Sequence, residues 1–269
     1  MKGKTVVFTS DNVQKELCRL LRYKGIDAVG VDRLCEAYPK DFLKAFDNII
    51  LPFPSKDENM SFLPKNTSLG EFLSPNQLIV GGMISDKIKD EAKKTGAKHK
   101  DYFENEAYVL KNAFITSQGA LKLLLDTTND YIVGKRVLVT GFGRIGKSLA
   151  MMLKGLGLKV FVAARSETAR AEAASCGYEV FNISQLCATL FYYDYIFNTV
   201  PERIFTERDV KHIRNDAFYF ELASKPFGAD ENDFANEGKR FINGSALPGR
   251  YFPLAVAENI YGYIFSSGR

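Results

Sequence analysis

The chain has 269 residues, 46% hydrophobic and 25% charged; that is the profile of an ordinary folded protein of one large or two small domains, and it excludes a disordered, collagenous or disulfide-scaffold chain. Thirty-six Lys and Arg against 32 Asp and Glu leave a net charge of +4 with no basic block, so charge alone does not point to nucleic acid or an anionic membrane and leaves a small acidic ligand open. No run of about 18 apolar residues could span a bilayer, and the first apolar stretch is too short for the core of an export signal, so a cytoplasmic chain is expected.

From the start, apolar runs rich in Val, Ile and Phe alternate with stretches of helical period, the pattern of βα units. Lys4 to Thr9 reads as a strand, Val13 to Tyr23 as an amphipathic helix stopped at Gly25, and Asp27 to Val31 as the next strand. Asp47 to Leu51 and Gln77 to Val80 read as further strands that end in loop-forcing residues, Pro52 and Pro54 after one, Gly81 and Gly82 after the other. In a parallel sheet, ligands sit at such carboxyl-end loops. Between them Ser55 to Pro75 is long, polar and broken by proline, and reads equally as a surface excursion or a lid. A helix over Thr116 to Thr127, with apolar leucine spacing, suits packing between two lobes. The boundary is drawn there: an N-terminal substrate lobe of flavodoxin-like α/β type (1–115), completed by a C-terminal helix (253–269), and a doubly wound Rossmann domain (116–252).

The second series runs strand Arg136 to Thr140, helix Ile145 to Leu156, strand Lys159 to Ala163 and helix Glu167 to Ser175. Strands follow near Tyr178 to Phe181, Tyr193 to Asn198, Ala217 to Phe220 and Arg240 to Ile242. The last helical pattern, Leu254 to Phe265, is apolar on more than one side and is expected to pack back across the lobe junction. The four cysteines, Cys18, Cys35, Cys176 and Cys187, show no C-x-x-C spacing, and only His99 and His212 could join them at zinc, so free thiols and no metal are expected.

The strongest local signal is KRVLVTGFGRIGKSLAMMLKGLG, a strand running into Gly141-x-Gly143-x-x-Gly146 and directly into a helix. Gly141 permits the tight turn, Gly143 lets backbone approach a pyrophosphate, and Gly146 lets helix and strand pack closely, while the helix N-terminus offers N–H groups and partial positive charge. A second strand follows, and its tip selects the nicotinamide cofactor. An acidic residue there would hold the ribose 2′-OH of NAD; here Arg165 stands roughly 20 residues past the last motif glycine, followed by Ser166, Thr168 and Arg170. A guanidinium with hydroxyl donors beside it suits the 2′-phosphate of NADP. The alternative is that Arg165 stacks on the adenine while Glu167 serves the ribose. Asn198-Thr199-Val200-Pro201 and the Glu221 to Gly228 loop follow the next strands and fall where the nicotinamide end of the cofactor belongs, and Ala246 to Arg250 reads as a turn ending in a cation. Ser224 and Lys225 read equally as substrate contacts or as part of a solvated turn. A histidine acid/base is missing: His99 lies between two lysines and His212 in a charged helical stretch, and both read as surface residues.

The order of NAFITSQG (112–119), VTGFGRIG (139–146), AARS (163–166), FNTVP (197–201), ELASKPFG (221–228) and ALPGRYFP (246–253) resembles the A-type subunit family of dipicolinate synthase over nearly the whole chain. The pairing of an LAS-basic-P-x-G loop with a later LPG-x-x-x-P turn is its most particular part. The resemblance implies an NADP-linked oxidoreductase that works with a second, flavoprotein-like subunit to turn a dihydropyridine dicarboxylate of the lysine pathway into dipicolinate, the calcium-chelating acid of bacterial spores. It implies that Gly141, Phe142, Gly143, Arg144, Ile145 and Gly146 hold the pyrophosphate, Arg165 and Ser166 the 2′-phosphate, and Asn198, Thr199, Val200 and Pro201 flank the nicotinamide. It places Ser224, Lys225 and Pro226, with Leu247, Pro248, Gly249 and Arg250, toward substrate from the cofactor lobe, and Asn112, Thr116 and Gln118 from the hinge; Ser224, Lys225 and Gln118 form the catalytic set.

Where that family reads T-x-E-G, this sequence has Thr116-Ser117-Gln118-Gly119, and where it carries Lys-Thr/Ser-Ala-Gly after the LPG turn, this one has Leu254-Ala255-Val256-Ala257. Other readings therefore stay open: a divergent relative with another small acidic substrate, a cofactor-binding regulatory or assembly protein without turnover, and a hydroxyacid or shikimate-type dehydrogenase that shares only the fold. Two-lobed dehydrogenases often form homodimers, yet no residue here marks an interface.

Overall fold

The computed structural model describes residues 3–32, 41–60 and 62–266; Cys35 lies outside them. The chain divides into two compact units, Met1–Asn112 with Pro248–Arg269, and Ala113–Leu247.

In the first unit five parallel strands, β1 (Thr5–Phe8), β2 (Ala28–Val31), β3 (Asn48–Ile50), β4 (Leu78–Gly81) and β5 (Lys98–Asp101), lie in the order β2-β1-β3-β4-β5. This is the flavodoxin-like order. TVVF of β1 is buried at every position, as a central parallel strand covered on both faces requires. Helix α1 (Asn12–Tyr23) starts where Asp11 accepts the N–H groups of Val13 and Gln14 at 2.7 and 3.0 Å. Helix α2 (Asp86–Thr95) is capped by Ser85 and ended by Gly96 in the left-handed conformation. Neither α2 nor β5 is among the predicted elements: α2 buries only Ile88 and Ala92, although Ser85 and Gly96 mark its ends in the sequence, and KHKD lacks the Val/Ile/aromatic signature of a strand.

The Ser55 to Pro75 stretch is not the bare polar excursion its composition suggests. Phe62, Leu63, Leu69, Phe72 and Leu73 enter the same core as Val6, Phe8, Ile49 and Ile79, with Phe62 and Phe8 ring centroids 3.9 Å apart. Each such buried side chain contributes about 1.5–3 kcal/mol.

Helix α3 (Glu106–Thr127) starts ten residues before the predicted Thr116. Its start is set by Asn105, whose side chain accepts the Tyr108 N–H at 2.9 Å, a cap masked in sequence by the aromatic and β-branched residues after it.

The second unit holds β6 (Arg136–Thr140), α4 (Arg144–Gly155), β7 (Lys159–Ala164), α5 (Glu167–Ser175), β8 (Glu179–Asn182), β9 (Tyr195–Asn198), α6 (Glu207–Lys211), β10 (Phe218–Glu221), α7 (Glu231–Asn236) and β11 (Arg240–Asn243). The parallel order β11-β10-β9-β6-β7-β8 is the doubly wound Rossmann arrangement, with the chain reversal between β6 and β9. Its core is aromatic-rich, with Phe161, Tyr193, Phe205, Tyr219 and Phe234 buried among Leu138, Leu186 and Ile196.

The predicted turn at Ala246 to Arg250 is from Leu247 onward a short helix, α8 (Leu247–Tyr251), closed by Phe252 N–H to the Pro248 carbonyl at 2.9 Å; Pro248 to Arg250 belong to the first unit and not to the cofactor lobe. Proline near a helix start costs nothing, since its missing N–H would be unpaired there anyway. The last helix, α9 (Pro253–Ser266), packs along α1 in the first unit, where Asn259 Nδ2 donates to the Tyr108 carbonyl at 3.0 Å and Tyr263 Oη to that of Asp101 at 3.1 Å. Among the described residues no helix is long and apolar enough to cross a membrane, no cluster of metal-ligating side chains occurs, and Cys18, Cys176 and Cys187 are free.

Candidate functional site

The β6–α4 turn separates its three glycines by job. Gly141 has φ +88°, and a Cβ there would lie 2.5 Å from Thr199 Oγ1. A Cβ on Gly146 would lie 2.2 Å from the Gly141 carbonyl oxygen, so α4 sits on the turn with no room for a methyl. Gly143 differs: it precedes α4 in extended conformation, and its Cβ position has no heavy atom within 4 Å. Open space therefore stands in front of the first turn of a 12-residue helix whose leading N–H groups have no partner within the helix. This is the cradle a pyrophosphate requires. Phe142 turns inward, 7% exposed, against the Tyr178 ring.

A cavity of about 540 Å³ continues from this turn to the tip of β7, walled by Gly141, Gly143, Ala164, Arg165, Ser166, Ile183 and Val200. Its lining contains no carboxylate, and Glu167 is absent from it. Ser166 caps α5 through a long 3.4 Å contact with the Ala169 N–H. Arg165 is exposed at the cavity's edge and pairs with Glu202 at 2.7 Å. Arg170 is spent differently: its guanidinium donates to the carbonyls of Ala164 and Arg165 at 2.9 and 2.6 Å, so it braces the turn that carries Arg165.

At the carboxyl ends of β9 and β10 lies a buried polar network. Asn198 Oδ1 accepts from Thr140 Oγ1 at 2.6 Å and from the Val200 N–H at 3.1 Å, and its Nδ2 donates to Glu221 Oε1 at 2.7 Å. Glu221 also accepts from the Ala223 N–H (3.0 Å), Tyr219 Oη (2.9 Å) and the Gly228 N–H (2.8 Å). Burial outweighs these four donors and holds the Glu221 carboxyl above its ordinary range. Gly228 presses onto Asn198, where a Cβ would stand 2.2 Å from Nδ2. Sequence reasoning missed Glu221; an acid closing the aromatic strand FYFE was the available sign.

The network fixes both ends of the segment that presents Ser224, Lys225 and Pro226 to solvent. Lys225 Nζ lies 6.0 Å from the centroid of the Phe227 ring. On α3, Thr116 is buried and Gln118 exposed, while Ser117 Oγ and Ser148 Oγ of α4 meet at 2.5 Å. In the first unit Asn112, Pro248 and Gly249 are half-buried, and exposed Arg250 lies over the Tyr251 ring at 5.0 Å. His99 and His212 are both exposed, with His212 Nδ1 donating to the Arg208 carbonyl at 2.8 Å.

Residues 110–223 match the NAD binding domain of the D-isomer specific 2-hydroxyacid dehydrogenases. The domain is that of a nicotinamide-dependent oxidoreductase. The A-type subunit of dipicolinate synthase from Bacillus subtilis (strain 168) is 27% identical over 181 residues, 67% of this chain and 61% of that relative's length. The chain is similar to the A-type subunit of dipicolinate synthase. The solved structure of that subunit from Bacillus halodurans superposes with a TM-score of 0.80 at 24% identity, covering 99% of this chain and 98% of that one, and so agrees in fold. Salmonella D-lactate dehydrogenase shares the fold more distantly, at a TM-score of 0.66 and 12% identity, covering 100% of this chain and 98% of that one.

Proposed function

We propose that the chain is an NADP-dependent oxidoreductase of the dipicolinate synthase type, oxidising a dihydrodipicolinate-type dicarboxylate to dipicolinate in the cytoplasm of a sporulating cell together with a second, flavoprotein-like subunit. The observation that carries the cofactor choice is the tip of β7: an arginine and a serine, with no carboxylate, wall the cavity beside the glycine turn. Bound NADP⁺ supplies a hydride acceptor, and loss of a hydride and a proton from the dihydropyridine leaves the aromatic ring.

The open face at Gly143 and the N–H groups of α4 take the pyrophosphate. Arg165 and Ser166 take the 2′-phosphate, a bidentate guanidinium being matched to that anion. Asn198, Thr199, Val200 and Pro201 wall the nicotinamide end. In the second unit Lys225 is the cation suited to a carboxylate, with Ser224, Gln118 and Thr116 as its further candidate contacts; in the first unit Arg250 is the corresponding cation, with Asn112, Pro248 and Gly249. Aromatisation is strongly downhill, so the chemistry does not call for the histidine acid/base that a hydroxyacid dehydrogenase uses. Exposed His99 and His212 are consistent with that.

A second reading, favoured by the amide of Gln118 where the resembling family has an acid, is a relative acting on another small acidic substrate. The test is NADPH formation by the chain, alone and with the second subunit, on freshly generated dihydrodipicolinate. NADPH at a rate dependent on the chain is the expected result. Binding of NADP without any turnover on this substrate, with turnover on a different small acid, overturns the substrate assignment in favour of the second reading.

A further inference from the structure

The Arg165–Glu202 pair spans the turn that carries the three glycines. Arg165 follows β7 and Glu202 lies four residues after the end of β9, and the order β9-β6-β7 puts these strands on either side of β6, which ends at Thr140 just before Gly141. The guanidinium and the carboxylate meet at 2.7 Å. Both side chains are more exposed than covered, 67% for Arg165 and 54% for Glu202, so the pair is open to solvent and to exchange of partners.

On this geometry we propose that Glu202 is a specificity-determining residue of the cofactor site, competing with the ribose 2′-phosphate for the Arg165 guanidinium and so moderating the preference for NADP over NAD. The inference rests on the NADP reading above. Its logic is electrostatic. A 2′-phosphate adds about two negative charges within reach of Arg165, and a carboxylate already on that guanidinium both occupies its donors and repels the newcomer. NAD brings a neutral 2′-hydroxyl to the same place, which neither needs the guanidinium nor is repelled by Glu202. The carboxylate therefore weakens one cofactor and spares the other. Arg170 is held away from that contest by one nitrogen, Nη1, which donates to the carbonyls of both Ala164 and Arg165. The lining of the cavity offers no second cation.

The test is calorimetric titration of the full chain and of Glu202→Gln and Arg165→Gln with NADP and with NAD. In Glu202→Gln, NADP is expected to bind about three- to tenfold tighter while NAD changes by less than about twofold, the size an exposed ion pair allows. In Arg165→Gln the preference for NADP falls. An unchanged NADP-to-NAD ratio in Glu202→Gln, or an equal gain for both cofactors, overturns the role of Glu202 while leaving the NADP reading in place, provided Arg165→Gln lowers the ratio. A ratio unmoved by Arg165→Gln overturns the NADP reading itself and the inference with it.

Discussion

Asn198 donates to Glu221 across the buried ends of two neighbouring strands at 2.7 Å, and this bond ties the loop after β9 to the loop after β10. Both side chains are fully buried. The two loops proposed to flank the nicotinamide and the substrate thus share one polar anchor, and a change in either side chain is transmitted to both.

That anchor carries a pH signature. The Glu221 carboxyl titrates above its unfolded value because burial disfavours its charge. A folded-state value raised in this way contributes stability that is complete below the unfolded pKa and is lost as pH rises through the folded value. Glu221→Gln cannot titrate, so wild type is expected to gain stability relative to Glu221→Gln as the pH is lowered from neutral toward about 4.5. Thermal melts of both proteins across that range check it; a wild-type chain that loses ground to the variant on acidification contradicts the assignment. Glu221→Ala leaves four buried donors without an acceptor and is expected to cost more than about 3 kcal/mol.

The glycines of the β6–α4 turn separate binding from folding. Gly146→Ala drives a methyl into the Gly141 carbonyl and is expected to destabilise the chain by about 1–3 kcal/mol. Gly143→Ser places its side chain in open space and gives α4 a capping hydroxyl, so stability holds or rises by up to about 1 kcal/mol. The same serine occupies the room in front of the helix, and dinucleotide affinity is expected to fall at least about tenfold, a loss of about 1.4 kcal/mol. Melting curves paired with cofactor titrations decide it, and a Gly143→Ser protein that binds as wild type contradicts the cradle.

Lys225 sits on an exposed loop whose two ends are fixed by Glu221. Lys225→Met is expected to leave the melting temperature unchanged and to weaken a pyridine dicarboxylate by about five- to tenfold, as removal of one charge-assisted contact does. Equal dicarboxylate affinity in the variant removes Lys225 from the substrate surface.

The double βα series and the glycine turn are legible in the sequence because their signals are local: a β-branched run, a helical stripe, glycines at fixed offsets. The first turns of α3 and the α2–β5 pair stand out less, since β5 is a polar edge strand, α2 buries only Ile88 and Ala92, and the Glu106-Ala107 start of α3 behind its Asn105 cap runs at once into strand-favouring Tyr108 and Val109. At the site, Arg165 stands out by type and offset alone. Glu221 and Glu202 do not, because Glu221 acquires its role only when β9 and β10 pair, and Glu202 only when β7 and β9 close on β6. The cavity-facing tip of β7 also shows Arg170 as a brace, a role its spacing from Arg165 conceals.

On this reading one chain holds NADP and a pyridine dicarboxylate together. Calorimetric titration of the full chain with NADP and with NAD, each with and without pyridine-2,6-dicarboxylate, tests it most directly. NADP is expected to bind more tightly than NAD, and NADP and dicarboxylate to tighten each other by about fivefold or more, the lower end of ordinary coupling between sites. NAD binding as tightly as NADP, or NADP binding indifferent to the dicarboxylate, would contradict it.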